Sequence, residues 1–321
     1  MPSVLLVKTS SMGDVIHCLP TVTDMRRAVA DLTVDWLVEE NLAELPRLHP
    51  GVDRVIAVAM RRWRKSPVAA ATLGEAIRFR RELRARRYDW VVDAQGLVRS
   101  AVLCRLADGP SCGFDLRSIR EPLASLLYDR VYAVSFQLHA IEHSRRLAAL
   151  ALGYELSGPA DYGLSAPGPP PAWAPRSPFL VALHATSRAS KQWDEANWIE
   201  LARRAAGQGL ASVLPWGDEP ERARAERIAA AAADCIVPPR VGLTDAAALL
   251  AAARVVVGLD TGLTHLATAV GAPTVALFTA SPTMRNGTYS RGFHVDLGGE
   301  GQAPDIEAVW AATEMALAAP R

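Results

Sequence analysis

Ser3-Val-Leu-Leu-Val7 runs into Lys8-Thr-Ser-Ser-Met-Gly-Asp14 and then Val15-Ile-His-Cys-Leu-Pro20. A β-branched apolar run, a small hydroxyl-rich turn and the start of a helix follow one another. That order predicts the first strand, loop and helix of an open parallel α/β sheet. In such sheets ligands bind outside the carboxyl ends of the strands, where this loop falls. The loop carries one acid, Asp14, and one permissive glycine, Gly13. Two roles are open to Asp14: helix N-cap, which Asp favours, or general base toward a hydroxyl within hydrogen-bond reach.

The same alternation continues along all 321 residues. Strand-like runs at 33–38, 52–58 and 89–93 alternate with helical stretches near 22–30, 69–87 and from 97 on. Residues 109–134 are less regular, and 140–152 reads as helix. The sequence 166–178 then holds six prolines in thirteen residues, which no helix or central strand tolerates. The βα pattern restarts with strands at 179–183, 212–214, 235–237, 254–259 and 274–278. Helices are expected near 198–206, 220–232, 244–251 and 266–270. The fold class is therefore α/β, with two Rossmann-like doubly wound domains facing a cleft. Residues 1–165 form the first, 166–178 a Pro-rich linker and 179–304 the second. A last helix over 305–321 is able to pack back on the first domain.

Composition narrows the function classes. Half the residues are apolar, 21% are charged and the net charge is +1, so the chain builds large cores and does not wrap a polyanion as a whole. Its charge is uneven: residues 54–87 hold eleven Lys or Arg against Glu75 and Glu82. Within them Arg61-Arg-Trp-Arg-Lys65 follows a strand directly. It reads either as a solvated face or as a receptor for a phosphorylated or carboxylated ligand. An anionic membrane surface is a further partner for it, and no nucleic-acid motif accompanies it. Four scattered cysteines without metal spacing and no export signal predict reduced thiols in a cytoplasmic protein. No run approaches ~20 apolar residues, so any membrane contact is expected to be peripheral.

Three places in the second half could bind a nucleotide, two through its phosphates and one through its ribose. Asp260-Thr-Gly-Leu-Thr-His265 closes an apolar strand and opens a helix, whose free amides and dipole suit a diphosphate. Gly262 lets the backbone approach, and Thr261 and Thr264 offer hydroxyls; a plain capped helix, with Asp260 the cap and His265 a core residue, is the competing reading. Lys191, in a loop with Thr186 and Ser187, is either solvated surface or a phosphate-neutralising cation. Glu221 is either a ribose-binding acid or a first-turn dipole acid. Neither G-x-G-x-x-G nor the Walker pattern occurs, which weighs against nicotinamide dehydrogenases and P-loop nucleotidases. There is no Asp-x-Asp pair to hold a bridging metal and no G-x-S-x-G elbow.

Lys8-Thr-Ser-Ser-Met-Gly-Asp14, Arg61-Arg-Trp-Arg-Lys65, Asp93-Ala-Gln-Gly96, Arg120-Glu-Pro-Leu-Ala124, Leu214-Pro-Trp-Gly217 and Asp260-Thr-Gly-Leu-Thr-His265 occur in this order. Together they closely resemble the lipopolysaccharide heptosyltransferases of glycosyltransferase family 9. Residues 9–14 point to the first-acting member rather than the second. The resemblance implies a GT-B fold and inverting transfer of heptose from ADP-L-glycero-D-manno-heptose to Kdo2-lipid A, on the cytoplasmic face of the inner membrane. It implies no cofactor and no protein-held metal. By resemblance Asp14 is the base and Lys191 the diphosphate cation. Thr186, Ser187, Asp260, Thr261, Gly262 and His265 match the ADP site, and Glu221 the ribose acid. Val241 stands where a methionine can line the adenine pocket, and Ser187 where a second threonine is common. Arg61, Arg62, Arg64, Lys65 and Arg120, with Ser10, Ser11 and Gly13, match the acceptor side. Two rivals remain: a nucleotide-sugar epimerase or hydrolase on this scaffold, and a non-catalytic nucleotide-sugar or anionic-lipid binding protein.

Overall fold

The fold is described from a computed structural model, covering residues 1–320 apart from Val68, 165–167, Ser187 and Ser281. The chain divides into two compact units, Met1–Ser165 and Ala166–Arg321.

The first unit holds β1 (Ser3–Val7), β2 (Thr33–Glu39), β3 (Arg54–Val58), β4 (Trp90–Asp93), β5 (Ser111–Phe114) and β6 (Arg130–Tyr132). All pair in parallel, in the order β3-β2-β1-β4-β5-β6. Every residue of β1 is buried, as a central parallel strand covered on both faces requires. Leu5 and Val7 join Phe79 and Leu83 of the helix Ala70–Leu83 and Leu103 and Cys104 of the helix Val98–Leu106. By strand alternation Val4 and Leu6 turn to the opposite face. The helices Met12–Ala28 and Ala140–Leu152, which do not share that first cluster, pack on each other.

The second unit repeats the plan with β7 (Phe179–Leu183), β8 (Ala211–Val213), β9 (Cys235–Ile236), β10 (Val255–Leu259), β11 (Thr274–Phe278) and β12 (His294–Gly298). Its parallel order is β12-β11-β10-β7-β8-β9, so counting from β7 gives the same connectivity as the first unit. Leu180, Val255, Val257 and Leu259 pack with Trp198 and Leu201, and with Val309, Ala312 and Ala316 of the helix Ile306–Ala318. The buried face of this last helix therefore belongs to the second core. In each sheet the winding reverses once, between β1 and β4 and between β7 and β10, and a ligand crevice opens at such a reversal.

Three strands depart from the sequence reading. β5 and β6 lie inside the stretch expected to be irregular, and β12 lies beyond the last expected strand. The expected helix near 22–30 is the second half of one continuous helix, Met12–Ala28, which runs through Pro20. Among the described residues no helix is long and apolar enough to cross a membrane.

Candidate active site

At the first reversal, β4 ends in a turn organised by buried Asp93. Its Oδ1 accepts the amides of Gln95 (2.8 Å) and Gly96 (3.1 Å), and its Oδ2 accepts the Tyr128 hydroxyl (2.7 Å). The Gln95 side-chain oxygen then accepts the amides of Thr9 and Ser10, each at 3.0 Å. Lys8 Nζ donates to the Ala94 carbonyl at 2.8 Å. The loop after β1 is thus tied to the loop after β4 before any ligand arrives.

Ser11 is the N-cap of the helix Met12–Ala28, and Asp14 is its third residue. This corrects the reading of Asp14 as the cap. Its Oδ2 accepts both the amide and the hydroxyl of Ser11 at 2.8 Å, and Oδ1 is left without a hydrogen bond among the described residues. Burial pushes the Asp14 carboxyl up, but Lys8, the two Ser11 hydrogen bonds and Arg120 outweigh it and hold it below the usual 3.8. The group is a carboxylate at neutral pH. Gly13 lies in the same first helical turn without a positive φ, so its expected conformational freedom is not what the loop uses.

The basic run forms the short helix Met60–Trp63 and the turn after it. Glu39 Oε1 accepts the Arg61 amide at 2.8 Å. Arg62 pairs with Glu40 (3.0 Å) and Glu75 (2.8 Å), so it is a held cation and not a free one. Trp63 donates to Glu75 at 2.8 Å and sets its ring edge-on to Phe79. Arg61, Arg64 and Lys65 are exposed and carry no ion pair among the described residues. A pocket of ≈ 370 Å³ opens beside them, lined by Thr9, Ser10, Glu39, Arg61, Arg64 and Arg99 among others. Arg99 was not singled out from the sequence; its guanidinium lies 3.4 Å from the Ser10 hydroxyl. Its only sequence signal is its place three residues past Asp93-Ala-Gln-Gly96. Arg120 is exposed and near enough to act on Asp14.

At the second reversal the helix Gly262–Ala269 starts directly from β10, with Thr261 as N-cap. Asp260, read from sequence as the cap, instead forms an ion pair with Lys191 and lies 3.6 Å from His265 Nε2. Thr264 donates to the Leu259 carbonyl at 2.5 Å and is buried, so its hydroxyl is spent inside the turn, with the Thr261 hydroxyl 3.4 Å from it. Gly258 permits this packing: a Cβ there would meet the Thr264 hydroxyl at 2.4 Å and Leu183 Cβ at 3.0 Å. Thr279 donates to the Ser190 carbonyl at 3.2 Å and anchors the loop that carries Lys191. A lysine paired with an acid therefore lies at the open end of a helix, where the free amides and the dipole favour an anion that displaces the acid from Lys191.

Glu221 sits in the first turn of the helix Glu219–Ala231, whose N-cap is Asp218. Its carboxylate accepts the Gly217 amide at 2.7 Å. Thr186, in the loop after β7, and Val241, in the loop after β9, are half-buried on the same strand-end edge. Direct contacts unite Lys191, Asp260 and His265; among the described residues none joins Thr186, Glu221 or Val241 to them. Ser187 lies outside the described residues.

All four cysteines are free. Burial pushes the Cys18 thiol up to about 11 and Cys112 up to about 12, and raises Cys104 and Cys235 as well. None is built as a nucleophile. Among the described residues no group of three His, Cys, Asp or Glu is placed to hold a metal ion.

The family model of glycosyltransferase family 9 (heptosyltransferase) matches residues 76–313. Lipopolysaccharide heptosyltransferase 1 of Pseudomonas aeruginosa is 48% identical over 290 residues, 90% of this chain and 81% of that protein. The solved structure of E. coli heptosyltransferase WaaC with ADP is 40% identical and covers 98% of this chain and 99% of its own, with a TM-score of 0.89. The same enzyme solved with ADP-2-deoxy-2-fluoro heptose gives 0.86 at the same identity and coverage. With two parallel six-stranded sheets and these likenesses, the fold is GT-B, as the six ordered motifs imply.

Proposed function

The chain belongs to glycosyltransferase family 9, the heptosyltransferases, and from that membership we propose that it transfers L-glycero-D-manno-heptose from ADP-heptose to a Kdo hydroxyl of Kdo2-lipid A. The observation that carries this reading is the Lys191–Asp260 pair at the mouth of the helix Gly262–Ala269. A diphosphate bound there takes Lys191 over from the Asp260 carboxylate, which stays beside His265. Gly262 and Thr261 supply backbone and hydroxyl contacts to the same phosphates. Thr186 borders the phosphates from the loop after β7, Glu221 offers its free oxygen to the ribose, and Val241 borders the adenine.

The Kdo oxygen attacks the anomeric carbon as the bond from that carbon to the diphosphate oxygen breaks. The configuration inverts in one displacement through an oxocarbenium-like state. Asp14 accepts the hydroxyl proton through Oδ1, the oxygen that Ser11 leaves unbound, and ADP departs with its charge neutralised by Lys191 and the helix dipole. Arg61, Arg64, Lys65 and Arg120 receive the acceptor's carboxylates and phosphates, beside Ser10, Ser11 and the backbone at Gly13. Arg62 stiffens this wall through Glu40 and Glu75. The acceptor is a lipid, so the chain works at the cytoplasmic face of the inner membrane as a peripheral protein.

The test is turnover of heptose-labelled ADP-heptose with and without Kdo2-lipid A. Label moving to the lipid only when acceptor is present is the expected result. Release of heptose or its isomer without acceptor would make the chain a hydrolase or epimerase. Binding without turnover would make it a carrier.

A further inference from the structure

Segment 115–127, between β5 and β6, is packed inside out. Its small or polar residues Ser118, Ala124 and Ser125 are buried, together with Ile119. Three of its four leucines face outward: Leu116 is 56% exposed, Leu123 69% and Leu126 70%. The segment is nevertheless firmly held. Asp115 accepts the Ser118 amide at 2.9 Å, and Ser118 accepts the Val134 amide at 2.9 Å. Glu121 accepts the Val98 amide at 2.7 Å, at the start of the helix Val98–Leu106. Both acids of the segment are thereby turned to backbone amides. Outward from the segment face Arg117 and Arg120 and the amide-bonded Glu121, with Arg99 on the adjoining helix, a net positive set. Leu123 and Leu126, three residues apart in the 3-10 helix Pro122–Leu127, share one exposed face, and exposed leucines accompanied by cations suit an anionic lipid interface.

The segment also adjoins the acceptor corner. Gly96 has φ +69°, and a Cβ there would meet Ile119 Cγ1 at 3.1 Å; its carbonyl accepts the Glu121 amide at 3.3 Å. Gly96 directly follows Gln95, whose side chain fixes Thr9 and Ser10.

We propose that segment 115–127 is the face by which the chain docks on an anionic phospholipid bilayer, Leu116, Leu123 and Leu126 entering the interface and Arg99, Arg117 and Arg120 meeting lipid phosphates. The orientation presents the membrane-held acceptor to Asp14. The inference rests on the lipid-acceptor reading above and adds the surface that serves it.

Two substrates and one binding measurement test it. Wild-type chain should co-sediment with phosphatidylglycerol vesicles free of acceptor and far less with phosphatidylcholine vesicles. The double variant Leu123→Ser/Leu126→Ser should lose about tenfold or more of that binding. It should lose as much transfer to Kdo2-lipid A embedded in the vesicles, with transfer to a fully deacylated, soluble acceptor unchanged. Leu123→Ile/Leu126→Ile should behave as wild type on all three, which guards against a folding defect. Equal loss on both acceptors would make these leucines part of the sugar site. Undiminished vesicle binding by the Ser variant would remove the surface, and self-association abolished by the Ser variant would assign the patch to a second copy. Transfer to the soluble acceptor by a wild-type chain that ignores vesicles would overturn the docking surface alone. Vesicle binding without any transfer would overturn the heptosyltransferase reading alone.

Discussion

A carboxylate takes a proton only from its ionised form, and Asp14 is held in that form by Lys8, Arg120 and two hydrogen bonds from Ser11. Asp14→Asn preserves the hydrogen bonds from Ser11 and removes the base. Transfer should fall to background while ADP-heptose affinity, measured by calorimetry, stays near wild type; near-native turnover would end the base assignment. Because its pKa lies below the ordinary 3.8, protonation of Asp14 should impose no acid limb on the rate between pH 5 and 8. The fall should come only below that ordinary value. Lys191→Ala should weaken both donor affinity and rate, since it removes a cation from ground and transition state alike and leaves Asp260 unpaired against an incoming diphosphate. Unchanged kinetics would take Lys191 out of the site. At this scale the sequence identifies residue types well and partnerships poorly. Asp14 and Lys191 are legible because each sits just past an apolar run. The choice of Ser11 over Asp14 as cap is not legible, since three consecutive hydroxyl residues precede the helix. Nor are the partners of Arg62, which arrive from 22 residues before it and 13 after.

The element that shapes the Lys191–Asp260 corner is the join between β10 and the helix Gly262–Ala269. Gly258→Ala places a methyl group into the Thr264 hydroxyl and Leu183, both buried. Overpacking of that kind costs about 1–3 kcal/mol. A lowered unfolding midpoint in denaturant and weaker ADP-heptose binding should appear together; full stability would show that the helix shifts freely. Long apolar strands such as β7 and β11 match their expected bounds because a doubly covered strand needs an unbroken apolar run. β6 has three residues, largely exposed, and β12 alternates polar and apolar residues at an edge. Only the neighbouring strand makes such segments into strands, and a local pattern does not contain it. Pro20 misleads in the opposite direction. Its ring removes one helical hydrogen bond, yet it is buried and the helix continues to Ala28.

The whole molecule carries a pH dependence distinct from that of the chemistry. Burial and the Arg26 guanidinium push His49 down to about 4, and burial and Arg224 push His184 to about 4. Both are buried, one in each unit. Unfolded histidine takes a proton near 6.5 and these folded ones do not, so the unfolded chain binds more protons between pH 6.5 and 4. Stability should therefore be full above pH 6.5, decline as pH falls to about 4, and gain no further loss from these groups below that. The decline amounts to roughly 3 kcal/mol for each histidine. Urea melts at pH 7, 5.5 and 4 measure it, and His49→Gln should flatten the first unit's share. The two-unit architecture itself was readable, because both halves spell out apolar strands separated by helices and a proline-dense stretch divides them.

All six strands of the first sheet come from residues 3–132, and all six of the second from residues 179–298. No strand is borrowed across that boundary, so the first sheet is complete as soon as its own residues have left the ribosome. Synthesis of the remaining half takes roughly 8–30 s at cellular elongation rates, while small domains fold in seconds or less. The first unit therefore has time to fold, with Asp14 fixed by Ser11, before synthesis of the second unit is complete. Translation order does for this protein what a chaperone does for one whose strands interleave: it keeps two nearly identical strand plans from competing for the same partners.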